Sequence, residues 1–191
     1  KSASVRVEQV EINDLYGVCV KITGAVQAVS VAIQSGRRVA AQMNGQPVAT
    51  VIPRLADGAE TVVFSSREYN PLIQQEVVFQ AEAAGTADSD QNGSTIMSQE
   101  TSFALGLIET QGFTAVFEAI DTACKTASVE VIGKEKLGGG YVTVIIKGEL
   151  SAVTAAVEAG KSKVGELGKL IAAHVIARPS ETVLSLLPKA S

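Results

Sequence analysis

The chain has 191 residues, of which 46% are hydrophobic and 19% are charged. This length allows one large or two small domains, and the positive mean hydropathy of +0.24 predicts that partner molecules cover part of the surface. The net charge of −4 argues against a nucleic-acid partner, and no apolar run reaches the ~18 residues of a membrane-spanning helix, so no membrane partner is predicted.

The first part of the chain repeats a later part. Lys1-Ser-Ala-Ser-Val-Arg-Val7 matches Lys125-Thr-Ala-Ser-Val-Glu-Val131, an offset of 125 − 1 = 124 residues, and this offset holds without a gap to Arg54 over Arg178. The matched pairs include Glu11 with Glu135, Val18 with Val142, Val20 with Val144, Ile22 with Ile146, Val29 with Val153, Ala32 with Ala156 and Gly36 with Gly160. A register of this length indicates two copies of one unit.

The first copy is predicted to lack its opening strand and helix. In the second copy, residues 104–124 precede Lys125, whereas the match in the first copy begins at Lys1. A sheet without its first strand would expose a long edge, so we expect upstream residues that were removed or that another molecule supplies. A permutation in which residues 56–100 restore the missing pieces is the weaker alternative, because this segment contains no amphipathic helix of comparable length.

The middle of the chain divides into three segments. Glu60–Phe64 resembles the stretch at Glu181–Leu184 and is predicted to end the first domain. Tyr69–Phe79 mixes turn and strand signals, and Gln80–Thr101 is small, polar and aperiodic, as flexible tethers are. The predicted organisation is therefore a first domain at 1–68, a crossing segment and linker at 69–102, and a second domain at 103–191.

The second half has the pattern of a split βαβ unit. The segments in order are a strand at 104–109, a helix from 113 to 124, a strand from 129, a strand at 142–146, a helix after 148 and a short strand at 174–179. Gly138, Gly139 and Gly140 predict a tight hairpin turn, Ser151 is the expected helix cap, and Pro179 stops the last strand. The predicted apolar face of the second helix is Val153, Ala156, Val157, Val164 and Leu167. This order predicts an α+β, ferredoxin-like fold with two helices on one face of a sheet.

Catalytic and cofactor motifs are absent from the sequence. His174 is the only histidine, at the predicted start of a strand, and no nucleophile or carboxylate cluster is placed by sequence to work with it. Gly160-Lys161-Ser162 fails as a phosphate-binding loop because Ala155 stands where a glycine is required. Cys19 and Cys124 lack metal-ligand spacing and are expected to be buried free thiols, as in a reducing cytoplasm. The sequence predicts no enzyme, metal or cofactor.

Several of these motifs resemble those of the bacterial microcompartment (BMC) shell-protein domain. They are Ala104-Leu-Gly-Leu-Ile-Glu-Thr-Gln-Gly112, the run from Lys125, the Glu135 to Gly140 turn and His174-Val-Ile-Ala-Arg-Pro179. With two copies per chain, the resemblance implies a tandem-domain protein, three chains of which close into a pseudo-hexameric disc. Such discs tile the facets of a protein-walled organelle in the bacterial cytoplasm. The implied partners are further copies of the chain, other shell proteins and the enclosed enzymes.

The resemblance also assigns a pore to the glycine turn. The second copy would contribute Lys136, Leu137, Gly138, Gly139 and Gly140 to the rim of a central opening, where backbone N–H groups can solvate polar metabolites. The family commonly has serine where Gly139 stands, so this rim has fewer hydroxyl donors. The first copy places Asn13, Asp14, Leu15 and Tyr16 at the matching positions. Because the two rims differ, the opening would be threefold; a turn role alone is the alternative for this segment.

Four cationic residues are expected at the disc edge. The repeat pairs Lys1 with Lys125 and Arg54 with Arg178, and the family's tiling lysine and last-strand arginine stand at these positions. Long cationic side chains suit contacts with the carbonyl groups of neighbouring discs. A trimeric small-ligand-binding regulatory protein on the same fold remains the alternative function. An enzyme that depends on His174 is a third possibility.

Overall fold

The structure, a computed structural model, describes residues 3–12, 17–71, 74–80 and 103–187. These residues form two four-stranded antiparallel sheets with helices, which confirms the predicted α+β class. The predicted tether falls almost entirely on residues 81–102, which lie outside the described residues. No helix in the described ranges has both the length and the apolar character needed to cross a membrane.

The first half forms a sheet in the order β2-β1-β4-β3. Its elements are β1 Arg6–Ile12, β2 Val18–Thr23, α1 Val26–Gln42, α2 Glu60–Val63, β3 Glu68–Asn70 and β4 Gln75–Gln80. Strands β3 and β4 occupy the segment that mixes turn and strand signals, and β4 pairs with β1 through Val10 and Phe79. This segment therefore extends the first sheet on the side of β1.

The second half forms a sheet in the order β6-β7-β5-β8. Its elements are β5 Ala104–Gln111, α3 Phe113–Thr126, β6 Glu130–Gly138, β7 Tyr141–Gly148, α4 Leu150–Ser162, β8 Lys169–Ile176 and α5 Glu181–Leu184. The β-α-β-β-α-β order is the predicted one. Strand β5 lies between β7 and β8 and pairs with both over nearly its whole length.

Three local predictions for this half are wrong. Helix α4 begins at Leu150, so Ser151 lies inside it; the Ser151 hydroxyl donates to Glu149 Oε1 (3.0 Å) and caps no backbone group. The helix ends at Ser162, so Val164 and Leu167 follow it instead of continuing its apolar face. Strand β8 begins at Lys169, because the eight-residue β5 offers it a long pairing partner, and His174 therefore lies in its interior.

One apolar core contains residues of both halves. Ala59, Val62 and Val63 of the first half belong to the same buried cluster as the sheet and helices of the second half. Within the second half, α4 packs closely on α3 at Gly160, where a Cβ atom would lie 2.8 Å from the Ala119 carbonyl oxygen. The shared core holds α2 and the surrounding loops of the first half against the second half.

Candidate functional site

The predicted pore turn is a two-residue hairpin loop between β6 and β7. Gly138, Gly139 and Gly140 have φ angles of +83°, +59° and +77°, in the left-handed region where glycine is favoured. The Gly112 N–H donates to the Gly140 carbonyl (2.8 Å), and Gln111 Nε2 donates to the Gly139 carbonyl (3.2 Å). These two bonds fix the turn against the start of α3.

The residues before the turn differ in their surroundings. The side chain of Leu137 is 62% exposed. The ammonium group of Lys136 instead lies 2.7 Å from Glu68 Oε2 and 3.2 Å from Glu11 Oε1, two carboxylates of the first half. The first copy's predicted rim, residues 13–16, lies outside the described residues. The structure therefore places only the second copy's share of the predicted pore.

A cavity of about 190 Å³ lies beside this turn, between the two halves. Its polar lining comes from Lys136, Glu68, Asn70 and Tyr141, and its apolar lining includes Ile12 and Phe113. The paired charges of Lys136 and Glu68 form one wall. A space of this size admits a few water molecules or a small polar compound.

A buried ion network centres on Glu11 of β1. The Lys21 ammonium group, from β2, donates to Glu11 Oε2 and to Gln9 Oε1 (2.6 Å). The Ser65 hydroxyl donates to Glu11 Oε1 (2.6 Å). Burial alone would raise the pKa of Glu11, but the charges of Lys21 and Lys134 and the hydrogen bonds lower this pKa to about 2. The carboxylate is therefore ionised at neutral pH despite being buried.

Lys134 of β6 joins the network to the second half. Its ammonium group donates to the Val62 carbonyl and lies 5.4 Å from the ring centroid of Phe117, which Lys21 also approaches at 4.7 Å. Burial lowers the pKa of Lys134 to about 8; repulsion from Lys21 and Lys136 adds to this decrease, and attraction to Glu11 opposes it. The network therefore crosses the boundary between the halves.

The predicted edge lysine of the second copy is held by a buried carboxylate. Lys125, in the last turn of α3, donates to Asp121 Oδ2 at 2.5 Å. The Ala56 N–H, from the first half, donates to Asp121 Oδ1 at 2.7 Å. Arg54 and Lys125 line one groove of about 380 Å³. The structure thus brings together one predicted edge residue from each copy.

The other predicted residues are dispersed. Arg178 is exposed after β8 and does not line this groove, and Lys1 lies outside the described residues. His174 is exposed on β8, and no group of three or more His, Cys, Asp or Glu side chains in the described ranges could hold a metal ion. Cys19 and Cys124 are free, as predicted, but both are only half-buried, whereas the prediction was that they are buried.

Sequence reasoning missed the ion network and the role of Asp121. A signal for the network was available, because Gln9 and Glu11 stand at alternate positions of β1, on one face of the strand, and Lys21 follows on its hairpin partner. Asp121 precedes Lys125 by four residues, the spacing of a helical ion pair. The contacts with Ser65, Val62 and Ala56 had no local signal, because they join residues that are distant in the sequence.

Comparison with known proteins assigns the second half to a family. The BMC domain matches residues 104–179. The major carboxysome shell protein CsoS1A of Halothiobacillus neapolitanus is 47% identical over 95 residues, which are 49% of this chain and 97% of that protein. The microcompartment shell protein PduA of Salmonella typhimurium is 48% identical over 86 residues, 45% of this chain and 92% of that protein. Both relatives are shell proteins and not enzymes, in agreement with the predicted absence of catalysis.

A solved structure is similar over both halves. A microcompartments protein from Desulfitobacterium hafniense DCB superposes with a TM-score of 0.63 and 24% identity, over 97% of this chain and 86% of that one. At this identity the similarity concerns the fold, which both halves of the chain share with that structure.

Proposed function

The chain belongs to the BMC-domain family of bacterial microcompartment shell proteins, and from that premise we propose that it is a tandem-domain shell protein whose copies tile facets. One observation carries the proposal: β6, β7 and α4, within the matched domain, recur at an offset of 124 residues as β1, β2 and α1. Two related units per chain allow three chains to close a ring with six similar positions. The location we propose is a microcompartment shell in the bacterial cytoplasm.

The groove lined by Arg54 and Lys125 is proposed as part of the tiling edge. Asp121 accepts hydrogen bonds from the ammonium group of Lys125 and from the backbone N–H of residue 56, and the ammonium group stays partly exposed in the groove that the exposed Arg54 also lines. Both groups can donate to carbonyl oxygens of a neighbouring disc while their stems pack against it. Arg178 is proposed to act at a second position of the same perimeter.

The turn Gly138–Gly140 is proposed to border a central opening in the ring. Its carbonyl bonds to Gly112 and Gln111 hold it rigidly, and no side chain from the three glycines narrows the space in front of it. Leu137, which is largely exposed, would be the bulkiest group of this part of the rim. Small polar metabolites would cross by contacting backbone groups. Other shell proteins and the enclosed enzymes are the proposed partners.

Electron microscopy of the purified chain tests the tiling proposal. We expect flat arrays from the unaltered protein. The double variant Lys125→Ala, Arg178→Ala should keep its rings, as measured by native mass spectrometry, but should lose the arrays because the edge donors are gone. A matched double variant, Lys163→Ala with Arg37→Ala, removes two exposed cations away from the predicted edge and should form arrays normally. Arrays that persist in the edge variant would contradict the edge assignment.

A further inference from the structure

The second copy's share of the predicted rim contains one charged side chain, and that side chain is directed at the first half. Of residues 136–140, Lys136 alone carries a charge. Its ammonium group donates to Glu68 Oε2 at 2.7 Å and lies 3.2 Å from Glu11 Oε1. Successive side chains of a strand point to opposite sides, and the next residue, Leu137, is the exposed one. The cation is therefore held between the halves.

Glu68 is the partner that decides the position of Lys136. Glu11 already accepts hydrogen bonds from the Lys21 ammonium group and from the Ser65 hydroxyl, one on each of its two oxygen atoms. Among the described residues, the ion pair of Glu68 is with Lys136 alone. Burial alone would lower the pKa of Lys136, but the hydrogen bond to Glu68 and the charges of both carboxylates raise this pKa. The ammonium form is thus stabilised where it lies.

The first sheet fixes the position of Glu68. Glu68 begins β3 and pairs with Val78 of β4, and Val78 pairs in turn with Glu11 of β1. Three residues before Glu68, the Ser65 N–H donates to Gln9 Oε1 at 3.1 Å and the Ser65 hydroxyl donates to Glu11. Two carboxylates of one sheet are therefore held in place opposite one ammonium group of the other sheet.

The cavity of about 190 Å³ gives the Lys136 side chain room for a second position. It is lined by Lys136 and Glu68 and also by Gly138 and Gly140 of the turn. The Glu68 side chain is 49% exposed, so water screens its ion pair with Lys136 and the pair contributes little to stability. Without Glu68, the ammonium group can move through this space to the turn.

We propose that Glu68 determines the charge of the rim by holding the Lys136 ammonium group away from the opening. In the proposed ring, on which this role depends, three chains bring three copies of Lys136 around one axis. With Glu68 present, backbone groups and Leu137 border the opening, which then admits uncharged polar solutes. Without Glu68, three ammonium groups would line the opening, which would instead bind anions.

Acetylation of lysine tests whether Glu68 holds Lys136. The full chain is treated with N-hydroxysuccinimidyl acetate, and the reaction of each lysine is followed by mass spectrometry. We expect Lys136 to react about three- to tenfold faster in Glu68→Gln than in the unaltered chain, because loss of the ion pair exposes the amine and lowers its pKa. Equal rates at Lys136 in these two chains overturn the proposal.

Glu76→Gln is the matched control for the acetylation. It removes a carboxylate from the same β3–β4 hairpin, and this carboxylate pairs with Arg67 at 2.6 Å instead of with Lys136. The net charge changes by the same amount as in Glu68→Gln, but the rate at Lys136 should stay that of the unaltered chain. An equal increase in both variants overturns the proposal, because it would show a general effect of charge.

Sulfate tests the effect on the opening. Cryo-electron microscopy of the ring in sulfate buffer should show an anion on the threefold axis in Glu68→Gln and none in the unaltered chain. The double variant Glu68→Gln, Lys136→Gln should bind none, because the released cation is gone. An empty axis in Glu68→Gln overturns the role of Glu68 in selectivity. A chain that forms no ring contradicts the proposed function, whereas the acetylation rates do not depend on assembly and still decide whether Glu68 holds Lys136.

Discussion

Glu11 is the residue on which the contact between the halves depends most. Its side chain is fully buried, and Lys21, Lys136 and Ser65 contact it from two strands and a loop. Removing one partner of a buried ion pair commonly costs more than the pair contributes, because the remaining charge stays buried. Lys21 and Lys134, whose ammonium groups both lie near the Phe117 ring, would then repel each other without the Glu11 counter-charge.

We expect Glu11→Gln to lower the free energy of unfolding at pH 7 by about 3 kcal/mol. The folded-state pKa of about 2 lies below the usual 4.5, so Glu11 contributes stability that is complete above pH 4.5 and is lost as the pH falls toward 2. Urea unfolding at several pH values should therefore show a smaller acid-side loss in the variant than in the unaltered protein.

Glu135→Gln is the matched control for this experiment. Glu135 stands at the repeat-equivalent position but is exposed. Its substitution should change the unfolding free energy by no more than about 0.5 kcal/mol. Equal changes in the free energy of unfolding for Glu11→Gln and Glu135→Gln would mean that the buried ion network around Glu11 does not stabilise the fold.

At the scale of elements, the strands, turns and helices that depend on local sequence pattern could be predicted from the sequence. The hairpin around Gly138–Gly140 and the helix from Phe113 follow from glycine turns and from apolar spacing, and both were predicted near their observed bounds. By the offset of 124 residues, residues 45–52 correspond to β8, but they form no strand. A strand needs a pairing partner as well as a sequence pattern, and β8 has that partner in β5, with which it pairs over nearly its whole length.

Comparing alanine substitutions at Gly36 and Gly160 distinguishes the effect of helix propensity on stability from the effect of packing. Both positions are helical and match in the repeat, but only Gly160 contacts a backbone atom. We expect Gly160→Ala to destabilise the chain by about 1 to 2 kcal/mol, because overpacking exceeds the gain in helix propensity. Gly36→Ala should stabilise it by up to about 1 kcal/mol. Thermal unfolding of both variants measures the two effects, and a Gly160→Ala protein as stable as the unaltered one would disprove the close approach of α3 and α4.

At the scale of the whole molecule, the order of strands and helices in the second half could be predicted from the sequence, but the packing of the two halves against each other could not. The pairing of strands in a split βαβ unit follows from element order. The burial of Ala59, Val62 and Val63 in the core of the second half depends on a surface that exists only once both halves have folded. The β3–β4 hairpin likewise extends the first sheet through long-range pairing with β1.

Three chains should form the ring. Native mass spectrometry should give three times the chain mass of 19.8 kDa. Single-particle cryo-electron microscopy should show threefold symmetry, with the turn Gly138–Gly140 beside the axis and the groove of Arg54 and Lys125 at the perimeter. A monomer, or a map with the turn at the outer rim, would refute both the ring and the pore proposals.

The shared core has a mechanical consequence for such a ring. Neighbouring domains in the ring would meet at six interfaces, three within chains and three between chains. The interface within each chain is made rigid by the buried Ala59, Val62 and Val63 and by the ion pairs around Glu11. Any widening of the opening would therefore occur at the three interfaces between chains. The opening would then dilate as a triangle whose sides, each formed by one chain, stay rigid.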